Sequence, residues 1–283
     1  TAVYDQTVTY SSGSFTRLAE PKRLVDTRGG DRFGSTSTSK VSVKRVKIAG
    51  ASTYDSKATG LPASGIGAVA LNVTAVEGFD DKGYGFVTAY PCDSLSTAVP
   101  NASNLNFAGG ETIPNAVIAP VSADGYVCFS VYGNTDLLVD ASGYFPSGSG
   151  FSALAEPKRL VDTRGGDRFG STSTSKVSVK RVKIAGASTY DSKATGLPAS
   201  GIGAVALNVT AVEGFDDKGY GFVTAYPCDS LSTAVPNASN LNFAGGETIP
   251  NAVIAPVSAD GYVCFSVYGN TDLLVDASGY FSG

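Results

Sequence analysis

The sequence predicts an all-β protein made of two tandem, identical β-sandwich domains of jelly-roll-like class. Two observations carry that prediction. Leu18–Phe145 and Leu154–Phe281 are the same sequence at an offset of 136 residues, a period close to the usual size of one domain and far longer than a solenoid repeat. Within each copy, short alternating or continuous apolar runs are separated by Gly, Pro, Asn and Asp, and none follows the 3.6-residue period of an amphipathic helix. A hydrophobic share of 42% supplies a core for each unit and is too high for disorder. The expected divisions are a strand segment and linker over 1–14, one sandwich over 15–145, a Gly/Ser linker over 146–150 and a second sandwich over 151–283. A trefoil or a closed barrel is the alternative architecture.

The runs in one copy, in order, are as follows. KVSVKRVKI (Lys40–Ile48) places Val41 and Val43 on one face and Val46 and Ile48 on the other phase, which predicts a bulge. GAVALNVTAVEG turns Val69, Leu71, Val73 and Ala75 inward, with Asn72 and Thr74 outward. YGFVTAYP offers Phe86 and Tyr90 to the core, and NLNF offers Leu105 and Phe107. NAVIAPV is continuously apolar, as in a strand covered on both faces, with Pro120 at its edge or end. GYVCFSVYG and DLLVDASGYF complete a set of about eight strands. The short segment PSGSG (Pro146–Gly150) then leads into the second copy, close enough for the two bodies to touch.

Each copy holds two cysteines, Cys92 and Cys128 in the first and Cys228 and Cys264 in the second. Neither pair is a C-x-x-C motif and the chain has no His, so the usual zinc ligand sets are missing. One pair per repeat predicts one disulfide per domain, tying two non-adjacent strands, and an oxidising, extracellular setting. Two buried free thiols are the alternative. A formal net charge of −4 argues against a general nucleic-acid binder. No apolar stretch has the length of a membrane-spanning helix. No signal peptide is visible in a chain that opens on Thr1, as expected of a processed form or a fragment.

Few residues suggest chemistry. Without His, the commonest general base and the Ser-His-Asp arrangement are absent. Asp26 and Asp31 flank a Gly-rich stretch in VDTRGGDRFG, which suits an acid–base pair or a Ca²⁺ site, or else a turn in which Asp26 pairs with Arg28. The spacing is not that of a calcium loop, and no metal or other cofactor is predicted. Lys40, Lys44, Arg45 and Lys47 form a basic run that would meet anionic wall polymers or keep a sheet edge soluble. Asn72 and Asn101, with their copies Asn208 and Asn237, match the N-glycosylation pattern, and Asn72 falls on a polar strand face. Tyr84, Tyr90, Tyr126 and Tyr132 form either a sugar-stacking platform or ordinary sandwich packing. A Lys–Asn isopeptide crosslink is compatible with the composition but is not located by it.

The ordered pieces RLVDTR, AVALNVTAVEG, GFVTAYPC, ASNLNF, TIPNAV, GYVCF and DLLVDASGYF span nearly the whole of both copies. The set resembles a tandem β-domain repeat of secreted and cell-surface proteins of actinobacteria and related bacteria. That resemblance implies an extracellular, surface-associated module, and it carries over no catalytic residues.

One further pattern concerns assembly. Ala2–Tyr10 can be laid over Leu137–Phe145 so that Asp5 meets Asp140 and Tyr10 meets Phe145. The chain then holds three copies of a final strand for two bodies. Either it is cut from a longer array, or Ala2, Val3, Tyr4, Val8 and Tyr10 form a strand that joins a sheet of another subunit, head to tail. The expected function is a structural or adhesive building block of a cell-surface fibre, with copies of itself as partner. A module binding cell-wall polymers or glycans is the alternative, and enzymatic activity is not expected.

Overall fold

The structure, a computed structural model, describes residues 15–29, 33–34, 42–77, 83–165, 169–170, 178–214 and 219–283. Among these residues there are strands and no α-helix. The first repeat contains β1 (Thr16–Asp26), β2 (Phe33–Gly34), β3 (Ser42–Lys47), β4 (Ile66–Val76), β5 (Tyr84–Pro91), β6 (Leu105–Ala108), β7 (Ile113–Pro120), β8 (Tyr126–Tyr132) and β9 (Asn134–Pro146). The second contains β10 (Phe151–Asp162), β11 (Phe169–Gly170), β12 (Ser178–Lys183), β13 (Ile202–Val212), β14 (Tyr220–Pro227), β15 (Leu241–Ala244), β16 (Ile249–Pro256), β17 (Tyr262–Tyr268) and β18 (Asn270–Ser282).

Each repeat is a two-sheet antiparallel sandwich. In the first, one sheet runs β1-β9-β4-β7, with β2 also pairing to β9, and the other runs β3-β8-β5-β6. Counting only the eight long strands, one sheet holds the first, eighth, third and sixth, and the other the second, seventh, fourth and fifth. That is the strand order of a jelly roll, and the second repeat reproduces it.

The core lies between the sheets and is built by period-two alternation. Val69, Leu71, Val73 and Ala75 from β4 meet Leu137, Val139 and Ala141 from β9 and Val87, Leu105, Phe107, Val127, Phe129 and Val131 from the facing sheet. Burying each large side chain of this set contributes about 1.5–3 kcal/mol. β9 is hydrogen-bonded on both sides, to β1 and β4, which matches its nearly continuous apolar run. β1 and β7 are the edges of that sheet and carry the prolines. Pro21 falls where the β1 register slips between Arg17 and Lys22, and Pro120 ends β7. Neither needs to donate to the ladder.

Three details differ from the sequence expectation. β3 pairs with β8 in unbroken register from Ser42 to Lys47, so there is no bulge within it. Val43 and Val46 lie on opposite faces because both faces have apolar neighbours: Val46 enters the core, and Val43 packs outside against Tyr90, Cys92 and Cys128. β5 is turned the other way from the expectation. Val87 and Ala89 enter the core, while Phe86 stacks on Tyr132 and Tyr90 packs with the cysteines on the outer face. Finally, the cysteines are bonded, Cys92 to Cys128 and Cys228 to Cys264, each pair with Cα atoms 5.7 Å apart. The strands they join are not consecutive in the chain but are neighbours in the sheet: Tyr90, two residues before Cys92, faces Cys128 across β5 and β8. Each bridge therefore reinforces one sheet.

Each bridge closes a loop with a sequence separation of 36 residues, which in the chain-entropy model is worth about 4 kcal/mol. Reduction of both bridges under native conditions should lower the unfolding free energy of each repeat by roughly 3–4 kcal/mol, read from urea denaturation of oxidised and reduced protein. Superimposed curves would contradict this.

Candidate functional site

The RLVDTR stretch forms a charged clasp at the end of β1. Arg28 donates to both carboxylate oxygens of Asp26, at 3.0 and 2.7 Å. Arg23 grips Asp140 of β9 through Nε and an Nη at 2.8 and 3.0 Å, and reaches Asp26 at 3.3 Å. The Thr27 hydroxyl donates to Asp136 and accepts from the Leu137 N–H. Arg23 and Thr27 hold β1 to β9, while Asp26 pairs locally with Arg28 and Arg23, which is the turn reading of Asp26. Arg28 holds the Asp26 carboxyl down at about 2. Asp31 lies outside the described residues, as do Lys40 and the strand residues Ala2, Val3, Tyr4, Val8 and Tyr10. Among the described residues no group of three His, Cys, Asp or Glu side chains is arranged to hold a metal.

On the outer face of the β3-β8-β5-β6 sheet, the four tyrosines divide. The Arg45 guanidinium covers the Tyr126 ring at 3.4 Å and also pairs with Asp124. Tyr90 is buried, its hydroxyl has no hydrogen-bond partner, and burial pushes its pKa up. Tyr84 and Tyr132 stack with ring centroids 5.8 Å apart, and Phe86 stacks on Tyr132 at 5.0 Å. The aromatic row is thus Tyr84, Tyr132 and Phe86, repeated at Tyr220, Tyr268 and Phe222. Tyr84 is 55% exposed and borders a groove of about 700 Å³ between the repeats, lined on its other side by Arg164, Glu213 and Glu247. Lys44, Arg45 and Lys47 lie on β3, an edge strand, as a solubilising run would. No described lysine is buried, so an isopeptide bond has no sheltered lysine among these residues.

The most elaborate polar site is one that the sequence does not reveal: the joint between the repeats. The Asn208 amide, on β13, donates to the Ser103 carbonyl at 2.6 Å and accepts from the Asn115 amide at 2.9 Å. Asn115 also accepts the Ala252 N–H at 3.1 Å, which satisfies an edge donor of β16. The Ser103 N–H donates to Asp276 at 3.3 Å, and Asn101 reaches the Tyr190 hydroxyl at 3.2 Å. An apolar cluster of Ala68, Phe145, Phe151 and Ala206, with Ile118 and Phe281 against it, lies beside these bonds. The Phe145 and Phe151 rings are 4.7 Å apart across the linker. Gly279 makes room for the Phe151 ring, which a Cβ would strike.

The joint brings like sheet faces of the two bodies together, Phe145 against Phe281 and β7 beside β16, but its hydrogen bonds are not symmetric. Ser103 and Asn115 are buried, whereas their copies Ser239 and Asn251 are exposed. Asn208 is buried, whereas Asn72 is exposed. Side-chain exposure of the Arg23–Asp140 pair is 30% and 21%; for the equivalent Arg159–Asp276 pair it is 5% and 1%. Burial pushes the Asp276 carboxyl up, opposed by the Arg159 hydrogen bonds and the Ser103 N–H. The glycosylation patterns are affected too: Asn72 is accessible as expected, but its copy Asn208 is sealed inside the joint. NAVIAPV is likewise more covered in the first repeat, because Ile118 packs against the joint while Ile254 is 57% exposed.

No family model matches the chain, and no curated protein does. Among solved structures, the N-terminal CBM22-1-CBM22-2 tandem domain from Paenibacillus barcinonensis Xyn10C is similar at 9% identity and a TM-score of 0.22, over 96% of this chain and 99% of that one. An allantoicase is similar at 7% identity and a TM-score of 0.20, over 95% of this chain and 87% of that one. Overlap this loose assigns neither a family nor a ligand.

Two outcomes follow from the geometry. Asn115→Ala leaves a buried amide partner and the Ala252 N–H unsatisfied, at a cost of about 1–3 kcal/mol, while the same change at Asn251 should cost far less. Thermal melts of the two variants measure the difference, and equal losses would contradict the joint. For Asp26, the folded pKa of about 2 lies below the ordinary 3.8, so its contribution is full above about pH 4 and lost as the pH falls through about 2. The melting-temperature gap between wild type and Asp26→Asn should therefore close between those values; a constant gap would contradict the clasp.

Proposed function

We propose that this chain is a building block of an extracellular fibre, in which disulfide-reinforced jelly-roll units are strung head to tail. The observation that carries the reading is the joint. Two units of identical sequence are held side by side, Ser103 and Asn115 of the first bonding Asn208 and Asp276 of the second while Phe145 packs near Phe281, so that one unit docks directly on the next. Other features support it. The bridges suit an oxidising exterior, and no helix among the described residues is long and apolar enough to cross a membrane. The conspicuous charged motif is engaged in holding β1 to β9, so the reading is structural and not enzymatic. The partners are further copies of the chain. Ala2–Tyr10, with residues Ala2, Val3, Tyr4, Val8 and Tyr10, is the strand proposed to extend a neighbouring sheet. β9 and β18, with which it aligns, already have partners on both sides, so addition takes place at an edge or by exchange.

A second reading, a module for cell-wall polymers or glycans, is favoured by one feature: the row of Tyr84, Tyr132 and Phe86 beside its groove. Flat aromatic faces of this kind stack on sugar rings. A panel of wall polysaccharides and glycans tests it, with Tyr84→Ala as control.

Electron microscopy of the native material decides between the two. Beaded fibres with one bead per repeat are expected, and dispersed particles that bind a glycan through Tyr84 would overturn the fibre reading. Deleting residues 1–10 should abolish polymers if that segment is the joining strand; undiminished polymers would reject that role.

A further inference from the structure

The groove beside Tyr84 is built from both repeats. One wall is the aromatic row of the first repeat, in which the Tyr132 ring stacks with Tyr84 at 5.8 Å and with Phe86 at 5.0 Å. The other wall comes from the second repeat and carries Arg164, Glu213 and Glu247. Backbone contacts hold that second wall in place. Glu213 sits in the left-handed region at φ 47°, and its N–H donates to the Thr248 hydroxyl at 3.0 Å. The Gly214 N–H donates to the Glu247 carbonyl at 3.0 Å, which ties the turn after β13 to the turn that carries Glu247. Arg164 is neutralised locally, its guanidinium 2.7 Å from the Asp162 carboxylate. Glu247 accepts the Ala244 N–H, and Glu111, which borders the groove from the first repeat, accepts the Ala108 N–H. A neutral backbone donor leaves a carboxylate its charge. Among the described residues the groove is therefore aromatic on one side and acidic on the other, and its size falls within the range of about 300–1,000 Å³ usual for ligand sites.

We propose that this groove binds a glycan strand bearing free amino groups, at one site per chain. The inference rests on the glycan-binding reading and names its ligand class and its place. Tyr84, at 55% exposure, offers a ring on which a sugar stacks, and the carboxylates opposite receive the ammonium groups of the same strand. Aromatic rings attract cations as well, so both walls favour a positively charged sugar and neither favours an anionic wall polymer. A hydrogen bond from an ammonium to a carboxylate is about twice as strong as one between neutral groups, which separates an amino sugar from its acetylated counterpart. The copy of the row, Tyr220, Tyr268 and Phe222, has the same ring geometry. It lies in the same repeat as Glu213 and Glu247 and does not line this groove. The two rows thus share sequence and local packing and differ in what stands opposite them. Both walls belong to one chain, so the site does not depend on polymerisation.

Isothermal titration calorimetry of the full chain with a glucosamine hexasaccharide, under mildly acidic conditions that protonate its amines, tests this. One site per chain is expected. Tyr84→Ala should weaken binding at least about tenfold, and Tyr220→Ala should leave it unchanged. The two rings are 55% and 54% exposed, so any cost to the fold is shared and the difference between the variants reports the groove. Combining Glu213→Gln with Glu247→Gln keeps the shape of the wall, removes its charge and should also weaken binding at least about tenfold. The fully N-acetylated hexasaccharide should bind more weakly than the amine. Equal losses from Tyr84→Ala and Tyr220→Ala, or two sites per chain, would overturn the groove between the repeats while leaving glycan binding standing. An acetylated sugar held as tightly, or a teichoic acid held more tightly through Tyr84, would overturn the amino-sugar assignment and again leave glycan binding standing. No binding of either hexasaccharide would overturn this site, and the panel of wall polysaccharides would then decide whether the glycan reading itself survives.

Discussion

A single buried amide, Asn208, held between the Ser103 carbonyl and the Asn115 amide of the other repeat, is the contact on which the architecture turns. A polar group taken out of water must find partners or cost about 1–3 kcal/mol. Here the partners come from a body of identical sequence. Each donor and acceptor in the joint therefore has an unjoined twin elsewhere in the chain. Asn72 faces solvent and donates to Thr74. Asn251 is exposed and donates to the Asn240 carbonyl. The hydrogen bonds of the joint thus break a symmetry that the sequence contains in full.

The rest of each sandwich presents these surfaces in a fixed relation. β9 and β18 sit inside their sheets, and the Arg23–Asp140 and Arg159–Asp276 pairs lock the edge strands β1 and β10 onto them. The facing sheet is reinforced from outside by the disulfide, with Tyr90, Val43 and Tyr126 packed around it. The sandwich therefore has apolar material on three levels: between its sheets, around the sulfurs, and at the joint. Only the first is an ordinary core. The second stiffens a sheet whose outer face also carries the aromatic row, and the third fixes how one unit follows the next.

Much of this was legible in the residues. The alternation of Val69, Leu71, Val73 and Ala75 identifies a half-buried strand and its inner face, and Leu105 and Phe107 do the same for β6. One cysteine pair per repeat identifies the bridges. The charged clasp was half legible: Arg28 beside Asp26 is a local pairing, but Asp140 lies 117 residues from Arg23 and only the fold brings them together. Phe86 and Tyr90 were misplaced because aromatic size suggests the core, while the outer face of this sheet has its own aromatic and sulfur packing. Val43 suggested a bulge for the same reason. The joint was illegible in principle. Identical letters at Asn72 and Asn208, or at Ser103 and Ser239, carry no sign of which copy is buried, and only contact between the bodies distinguishes them.

The most direct measurement exploits that identity. In an amide NMR spectrum of the chain, residues with the same surroundings in both repeats, such as Val127 and Val263, should give coincident or nearly coincident signals. Ser103 and Ser239, Asn115 and Asn251, and Asn72 and Asn208 should give resolved pairs, because one member of each is sealed in the joint and the other faces water. A single coincident set at every position would mean that the two units do not touch through these residues, and would contradict the account at its root.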